Sequence, residues 1–428
     1  MEGSQRKNHG PCNDSCVDLP EQPRLKSWTF ISSVLQRQPR RLLLYVKVVD
    51  WIFVNVIIEP TEDVGDSLEN RLLTAYSSTV ETLGLSSFSV VVDEVLNLCR
   101  QEYGMTVPQF CKNVRACSSR NGPYVREELD PILLQNLLPA SSIFGTSLTL
   151  PPCIPSTHLK TITRPGSFFL ANTRLVLHEG HEYVAKGPIY PRRVDYDYQE
   201  IFNLLSIPRG HPNIISHPKA LITVSETDNR ICGFLTTYYR NGNLDLYAQK
   251  LRNENLLTTS KLYKWFCQLT GAVNFLARNG TWHGDIKPDN ILIDDEENII
   301  LIDFARAFAT SATASPEVSA HMRTSISQTC VTTIGIPRGW PLHKIILSEI
   351  YSIGRTMYLI CEGISMVEVY RDKGWVNHEH HFQSEFGEGS ATPEPMRNVI
   401  RRCLTISPKE RITLGGMLDV LSSLEILA

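Results

Sequence analysis

Apolar and polar positions alternate with two different spacings along this chain, and the spacing predicts its elements. Between about residues 27 and 135, the stretches "RLLTAYSSTVETLGL" and "FSVVVDEVLNLCRQEYG" place apolar residues three and four positions apart. That spacing puts them on one face of a helix, so it predicts two amphipathic helices. From about residue 157 onward, short apolar runs followed by helical patterns predict strands that alternate with helices.

One apolar run, residues 42–58, is long enough to raise the question of a membrane span. It carries Lys47, Asp50 and Asn55. A spanning helix needs about 20 apolar residues, and each charge at its centre costs about 2.5–3.5 kcal/mol. We therefore expect a buried strand or helix of a globular domain, and no membrane span.

Composition divides the 428 residues into four parts. Residues 1–26 are polar, and we expect a disordered tail there. Residues 27–135 form an N-terminal domain of unknown fold, and residues 136–156, dense in Pro, Ser and Thr, form a linker. Residues 157–428 form the second domain.

A helix, a polar loop and a hairpin follow one another in the second domain. The helix has Ser260 as its expected N-cap and Gly280 at its expected end. The loop reads "TWHGDIKPDN". After it, the apolar runs at residues 291–293 and 299–302 are separated by "DDEEN", which predicts a hairpin. The hairpin returns the chain to the loop at Asp303.

The loop residues His283, Asp285, Lys287 and Asn290, with the "DFA" that begins at Asp303, resemble the catalytic loop and metal-binding segment of protein kinases. The lysine in "KPDN" is typical of the eukaryotic Ser/Thr type, and "HGD" resembles divergent fungal members. The resemblance implies that Asp285 orients the acceptor hydroxyl and takes its proton, while Lys287 reaches the γ-phosphate. It also implies Mg²⁺ binding by Asn290 and Asp303, whose hard oxygens suit that ion.

Further positions extend the resemblance to the nucleotide. Lys186 in "EYVAKGP" is similar to the strand lysine that binds the nucleotide phosphates, and Glu200 is its expected helix partner, with Asp197 as a rival. "FLTTYYRNGNL" resembles the hinge between two lobes. The cofactor-binding candidates are thus Lys186, Glu200, Thr236 at the gatekeeper position, Tyr238 in the hinge and Gly166 in the phosphate-covering loop.

The resemblance implies an α+β, bilobal protein-kinase-like fold, with a small β-rich lobe and a mainly helical lobe. It implies a protein Ser/Thr kinase that uses ATP and Mg²⁺ and acts on a protein substrate. The net charge of −3 provides no concentrated basic surface, so we expect no nucleic-acid partner.

Four departures from the family pattern accompany the likeness. Gly166 stands alone where a glycine-rich loop is usual, and Ala305 replaces the glycine after Asp303 and Phe304. The expected A-P-E segment reads "GIPRGW", so Arg411 lacks the usual glutamate partner there and needs another partner or is partly solvated. Gly284 replaces the arginine that usually precedes the catalytic aspartate. Because phosphate on the activation segment pairs with that arginine, we expect activity that does not depend on phosphate in "TSATASPEVSAHMRTSISQT".

Two other readings of the same residues remain open. A pseudokinase would keep the motif positions and act as a binding or scaffolding module. A small-molecule kinase of the aminoglycoside or choline type would also read H-G-D, but such enzymes usually lack Lys287 and the closing "CLTISPKER" pattern.

Cysteine and histidine usage bears on location and metals. Eleven scattered cysteines without a C-x-x-C, and without a secretory signal, indicate free thiols in a reducing, intracellular compartment, cytoplasmic or nuclear. No quartet has zinc-finger spacing. The cluster "NHEHHF" could bind zinc, but its polar flanks favour a solvated loop.

Overall fold

The computed structural model of the chain describes most of its length, and its contacts separate two units. The described residues are 29–37, 40–49, 52–60, 67–82, 85–103, 113–119, 122–127, 131–145, 148–162, 173–187, 194–305, 309–310, 312–322, 333–334, 339–371, 386–387 and 389–427. The first unit is Met1–Val107 with Val114–Arg126, and the second is Pro108–Asn113 with Glu127–Ala428. The sequence-derived boundaries at residues 26, 135 and 156 stay a prediction.

The first unit contains one five-stranded sheet whose strands lie in chain order. They are β1 (Thr29–Arg37), β2 (Arg40–Val49), β3 (Ile52–Ile58), β4 (Asn113–Ser119) and β5 (Gly122–Glu127). The apolar run at 42–58 forms β2 and β3, which pair antiparallel. Leu42, Leu44 and Val46 are buried at alternate positions, as a half-buried strand requires. The prediction of a buried element is confirmed, and no helix among the described residues is long and apolar enough to cross a membrane.

Two helices complete this unit where the spacing predicted them: α1 (Leu68–Thr82) and α2 (Leu85–Tyr103). Their apolar faces join the strand residues in one buried cluster, with Leu72 of α1 and Val95 of α2 fully buried. Glu69 is also buried, and its carboxylate accepts a hydrogen bond of 2.7 Å from the backbone nitrogen of Ser118. That bond satisfies a charge that would otherwise be costly to bury.

The second unit opens with a six-stranded sheet. Its strands are β6 (Cys153–Pro155), β7 (Lys160–Thr161), β8 (Thr173–His178), β9 (His181–Lys186), β10 (Ala220–Thr223) and β11 (Ile231–Thr237). They lie in the order β6-β10-β11-β9-β8-β7. The helices that precede β10 are α3 (Pro131–Asn136), α4 (Ala140–Phe144) and α5 (Val194–Ser206). The sheet therefore contains a strand from within the predicted linker.

The rest of this unit is mainly helical. The helices are α6 (Leu244–Asn253), α7 (Thr259–Arg278), α8 (Pro316–Met322), α9 (Leu342–Glu362), α10 (Met366–Arg371), α11 (Glu394–Cys403) and α12 (Leu414–Leu427). The short strands are β12 (Ile291–Ile293), β13 (Ile299–Leu301), β14 (Ala309–Thr310) and β15 (Thr333–Ile334). Helix α9 is buried along most of its length and lies at the centre of this part.

Helix α7 precedes the loop, and the β12–β13 hairpin follows it. Strands β12 and β13 pair antiparallel, so the hairpin is confirmed. The expected N-cap was wrong, because helix α7 is capped by Thr258, whose side chain accepts from the Lys261 nitrogen. Thr258 and Ser260 are chemically similar caps, and the helix begins two residues earlier than expected. Gly280 follows the C-cap with φ 71°, which ends the helix as expected.

This division into a small β-rich part and a larger helical part confirms the α+β, bilobal expectation, with a separate unit ahead of it. Seven cysteines are described and all are free, in agreement with the expectation of unpaired thiols. The histidine cluster at 377–382 lies outside the described residues. Among the residues that are described, no group of three or more His, Cys, Asp or Glu side chains could hold a metal ion.

Two helical glycines predict opposite effects of alanine on stability. A Cβ at Gly354 of α9 would lie 2.4 Å from the Cys403 Cβ, whereas a Cβ at Gly271 of α7 would meet nothing within 4 Å. We expect Gly354→Ala to lower the free energy of unfolding by about 1–3 kcal/mol through overpacking. Gly271→Ala should raise it by about 0.5–1 kcal/mol, because alanine favours the helix. Urea titration of the full chain measures the free energy of unfolding of both variants. Equal unfolding midpoints for the two variants would contradict the packing described here.

Candidate functional site

Lys186 is held between two carboxylates from distant parts of the second unit. Strand β9 ends at Lys186, helix α5 carries Glu200, and Asp303 follows strand β13. The Lys186 Nζ lies 2.7 Å from Glu200 Oε2 and 2.9 Å from Asp303 Oδ1. The structure therefore brings together three of the residues that the sequence singled out. The side chain of Asp197, the rival partner, is outside the described residues.

Charge balance explains why this cluster is stable in a buried place. Glu200 is almost fully buried, and the Lys186 side chain is only 15% exposed. Burial would lower the pKa of the Lys186 ammonium, but the charges of Asp303 and Glu200 outweigh it and raise that pKa above its ordinary value. Burial would likewise raise the pKa of the Asp303 carboxyl, but Lys186 lowers it below the ordinary value. Each group thus keeps its charge because the others keep theirs.

Helix α5 is positioned by its apolar face and by one amide. Val194, Ile201 and Leu204 are buried on it, in the same core as the sheet residues. The side chain of Asn203 donates a hydrogen bond of 2.7 Å to the backbone oxygen of Phe304. Because Phe304 follows Asp303, this bond couples the helix that carries Glu200 to the segment that carries Asp303.

The three loop candidates also lie together. Lys287 Nζ is 3.0 Å from Asp285 Oδ2. Asn290 Nδ2 donates to the same Oδ2 at 3.0 Å and to the Asp285 backbone oxygen at 2.9 Å. A short 3₁₀ helix, Pro288–Asn290, turns the amide back toward Asp285. With its nitrogen committed to Asp285, Asn290 has its side-chain oxygen for another partner, such as a cation.

His283 fixes the loop backbone from inside the core. Its ring is fully buried, and Nδ1 accepts from the Asp285 nitrogen at 3.1 Å. Since Nδ1 accepts, Nε2 carries the proton and donates to the Ile302 oxygen at 2.7 Å. The neutral histidine ring therefore links the loop to the hairpin through two hydrogen bonds.

Glu349 of α9 anchors the same turn from below. Its Oε1 accepts hydrogen bonds of 2.7 Å from the backbone nitrogens of both His283 and Gly284. Gly284 has φ 96°, a conformation that residues with a Cβ rarely adopt. The glycine that stands here in place of the usual arginine is thus required by the turn conformation, and it also removes a positive charge.

The backbone after β13 has an unusual conformation at Asp303. Asp303 has φ 67°, in the left-handed region that costs a non-glycine residue of order 1 kcal/mol. Phe304 is fully buried, and its ring lies 4.8 Å from the His283 ring in an edge-on arrangement. Ala305 is not among the described residues with positive φ, so alanine fits here without strain.

The remaining nucleotide-site candidates are Thr236, Tyr238 and Gly166. Thr236 lies on β11 opposite Val184 of β9, and its buried hydroxyl has no hydrogen-bond partner within the described residues. Tyr238 directly follows β11. Gly166 lies outside the described residues, so the phosphate-covering loop stays a prediction.

The partner of Arg411 is a glutamate that precedes the "GIPRGW" segment. Arg411 is buried, and its guanidinium makes two hydrogen bonds to Glu317, at 2.6 and 2.8 Å. Arg411 therefore has another glutamate as its partner, which is one of the two outcomes that the sequence left open, and it is not solvated. Glu317 closes the tripeptide Ser315-Pro316-Glu317, a close variant of A-P-E that lies 14 residues after Asp303.

With Glu317 as the partner of Arg411, the segment that begins at Asp303 and ends at Glu317 is short. Its described end is held by hydrogen bonds between uncharged groups. Ser352 of α9 donates to the Thr313 backbone oxygen at 2.8 Å, and Ser315 donates to the Ser348 hydroxyl at 3.0 Å. Both Thr313 and Ser315 are buried. Much of the Ser/Thr-rich stretch therefore follows the segment instead of belonging to it.

Sequence reasoning missed two further positions near Lys186. Gly233 precedes Phe234, which pairs with Lys186 in the sheet, and a Cβ at Gly233 would come within 2.4 Å of the Lys186 backbone oxygen. Asn203, which binds the Phe304 oxygen, is the second. Neither position has a local sequence signal, because both act through contacts across the lobe.

Comparisons with known proteins agree with this geometry. Residues 193–422, more than half of the chain, match the family described as Protein kinase domain. The serine/threonine-protein kinase VHS1 of Saccharomyces cerevisiae is 34% identical over 107 residues, which are 24% of this chain and 22% of that protein.

Two plant proteins give longer but weaker matches. CBL-interacting protein kinase 5 of Oryza sativa subsp. japonica is 25% identical over 49% of this chain and 42% of its own length. CBL-interacting serine/threonine-protein kinase 10 of Arabidopsis thaliana is 26% identical over 48% and 40%. The chain thus spans less than half of each of these relatives. On the matched region and the site geometry together, the chain belongs to the protein kinase family, with relatives among the eukaryotic-type Ser/Thr kinases.

Proposed function

We propose that this protein transfers the terminal phosphoryl group of ATP to serine or threonine hydroxyls of a protein substrate. The observation that carries the proposal is the double contact of Lys186, with Glu200 on one side and Asp303 on the other. This contact places the Lys186 ammonium, which would bind phosphate oxygens, next to the Asp303 carboxylate, which would bind a metal ion. The names of the relatives, which are Ser/Thr kinases, support the choice of acceptor.

The donor set fits Mg·ATP. Lys186 is an ammonium, which suits the nucleotide phosphates, and its charge is secured by two carboxylates. Asn290 and Asp303 would hold Mg²⁺, since both offer hard oxygens and the Ile302 nitrogen binds the Asn290 backbone oxygen at 3.0 Å, which keeps the two residues close. When bound, Mg²⁺ neutralises charge on the phosphate oxygens during transfer.

Asp285 is the proposed catalytic residue. Its carboxylate would orient the acceptor hydroxyl and receive its proton as the new oxygen–phosphorus bond forms. Asn290 and Lys287 bind Oδ2 of Asp285, which fixes the carboxylate in one orientation. Lys287 would also place its positive charge against the phosphoryl group in transit.

The short segment between Asp303 and Glu317 favours activity without added phosphate. Its end is held by Ser352, Ser348 and the Arg411–Glu317 pair, which need no phosphate. Gly284 supplies no cation for a phosphate to bind. The described end of this segment therefore has contacts that need no phosphate.

Lys186→Met tests nucleotide binding. We expect Mg·ATP to raise the melting temperature of the wild-type chain, and the variant to bind about 10- to 100-fold more weakly, because charge-assisted hydrogen bonds contribute about 1.5–3 kcal/mol. The ATP-induced shift is the measured quantity, since loss of Lys186 also destabilises the unliganded protein. Lys250→Met, at an exposed position of α6, is the matched control. No shift in the wild type at millimolar Mg·ATP would refute the proposal.

Asp285→Asn tests the chemical step. The amide keeps the shape of the side chain but cannot take the proton, so kcat should fall by about 10²–10⁴-fold while the ATP-induced melting shift stays the same. Asp294→Asn, in the β12–β13 turn, is the control and should keep its rate. Phosphate incorporation into peptides with Ser, Thr or Tyr acceptors is the assay. A preference for Tyr, or equal rates for both variants, would show the assignment to be wrong.

A third test concerns the Ser/Thr-rich stretch beyond Glu317. Joint replacement of Thr324, Ser325, Ser327 and Thr329 by alanine should leave the initial rate within a few-fold of the wild type. Phosphatase-treated wild type should behave in the same way. A tenfold loss in both, about 1.4 kcal/mol in activation free energy, would show that phosphate in this stretch supports activity.

A further inference from the structure

A segment ahead of the family-matched region is built into the β-rich lobe. We call residues 131–145 and 148–158 the strap. The strap includes α3, α4 and β6. Strand β6 pairs in parallel with β10, with Leu221 opposite Cys153, and so forms the edge of the sheet. The Leu221 nitrogen also donates to the Pro152 oxygen at 2.9 Å. The region that matches the protein kinase domain begins only at residue 193.

The strap meets helix α5 at one buried tyrosine. The Leu138 nitrogen donates to the Tyr198 hydroxyl at 2.9 Å, and that hydroxyl donates to the Ile231 oxygen at 2.9 Å. The Ile231 nitrogen then donates to the Leu138 oxygen at 2.9 Å, which closes a ring. Three elements, the strap, α5 and β11, are thereby tied through a single hydroxyl group.

Packing and one arginine hold the strap itself in place. Leu137 and Phe144 are buried in the main core of this unit. Arg230, which also pairs with Asp228, donates from Nη1 to the Leu134 oxygen. Pro139 forms a bridge with Arg230 through the backbone. The strap is therefore fixed to β11 independently of its bond to α5.

Tyr198 and Glu200 point to opposite sides of α5. Two residues along a helix are separated by about 200° of rotation. Both side chains are buried, Tyr198 toward the strap and Glu200 toward Lys186. A bond that holds one face of the helix consequently sets the position of the other.

We propose that the strap positions helix α5, so that Tyr198 is a positioning residue that keeps Glu200 on Lys186. This inference rests on the proposed phosphoryl transfer for its effect on rate. Its effect on the helix does not require catalysis. The two can therefore be tested apart, on the full chain.

Hydrogen exchange tests the helix. Tyr198→Phe removes only the hydroxyl, and we expect amides of α5 to exchange at least tenfold faster, with α7 unchanged. Tyr247→Phe is the matched control, because its hydroxyl binds Glu297 in the helical part at 2.8 Å. It should leave α5 unchanged. If α5 exchanges as in the wild type in the Tyr198→Phe variant, the inference is overturned.

Arg230→Ala distinguishes the contribution of the strap from that of β11, because the Tyr198 hydroxyl bonds to both. This change releases the Leu134 oxygen and leaves the tyrosine hydroxyl in place. We expect exchange in α5 to rise at least threefold. An unchanged α5 here, with a faster α5 in Tyr198→Phe, would assign the positioning to β11 alone and reject the strap.

A double-mutant cycle tests the route to the active site. Tyr198→Phe alone should lower kcat/KM for ATP by tenfold or more, but by less than twofold in a Glu200→Gln background, because the positioned contact is already lost. Equal losses in both backgrounds would indicate a general structural role and contradict the inference. If the wild type neither binds Mg·ATP nor transfers phosphate, the proposed function fails, and the exchange measurements alone decide the role of the strap.

Discussion

An ammonium group buried between two carboxylates is the constraint on which the second unit depends. Lys186 comes from a strand, Glu200 from a helix and Asp303 from the end of a hairpin. Removing Lys186 would leave two carboxylates without their shared cation, one of them almost fully buried, at a cost of several kcal/mol. The electrostatic requirement therefore fixes the relative positions of sheet, helix and loop, and the core packing around α5 and His283 has to satisfy it.

The helical part solves a related problem with backbone donors. The turn at His283 and Gly284 exposes two N–H groups, and a single oxygen of Glu349 accepts from both. Buried N–H groups without acceptors would be costly. The same central helix, α9, holds the Thr313 and Ser315 region through its serines. One helix thus supports both the proposed catalytic loop and the described end of the segment that follows Asp303.

Sequence reasoning succeeded where contacts are local and failed where they are long-range. The hairpin and the loop lie within a few residues of one another, so spacing alone predicted their proximity. Glu200 could be matched to Lys186 because the two are 14 residues apart on adjacent elements. Glu317 and Arg411 are 94 residues apart, and only the tripeptide Ser315-Pro316-Glu317 carries a local signal for the pair. The strap had no signal of its own, because its Pro-rich composition is typical of a linker and its order arises from tertiary contacts.

The backbone at Gly284 also limits the sequences that this chain can reach by substitution. Its φ of 96° excludes an ordinary side chain without strain, and its own N–H group and that of His283 both donate to Glu349. An arginine could not be restored here by one change, since the turn would have to reshape as well. The longer carboxylate at 349 and the glycine at 284 therefore form a pair whose members constrain each other's substitution.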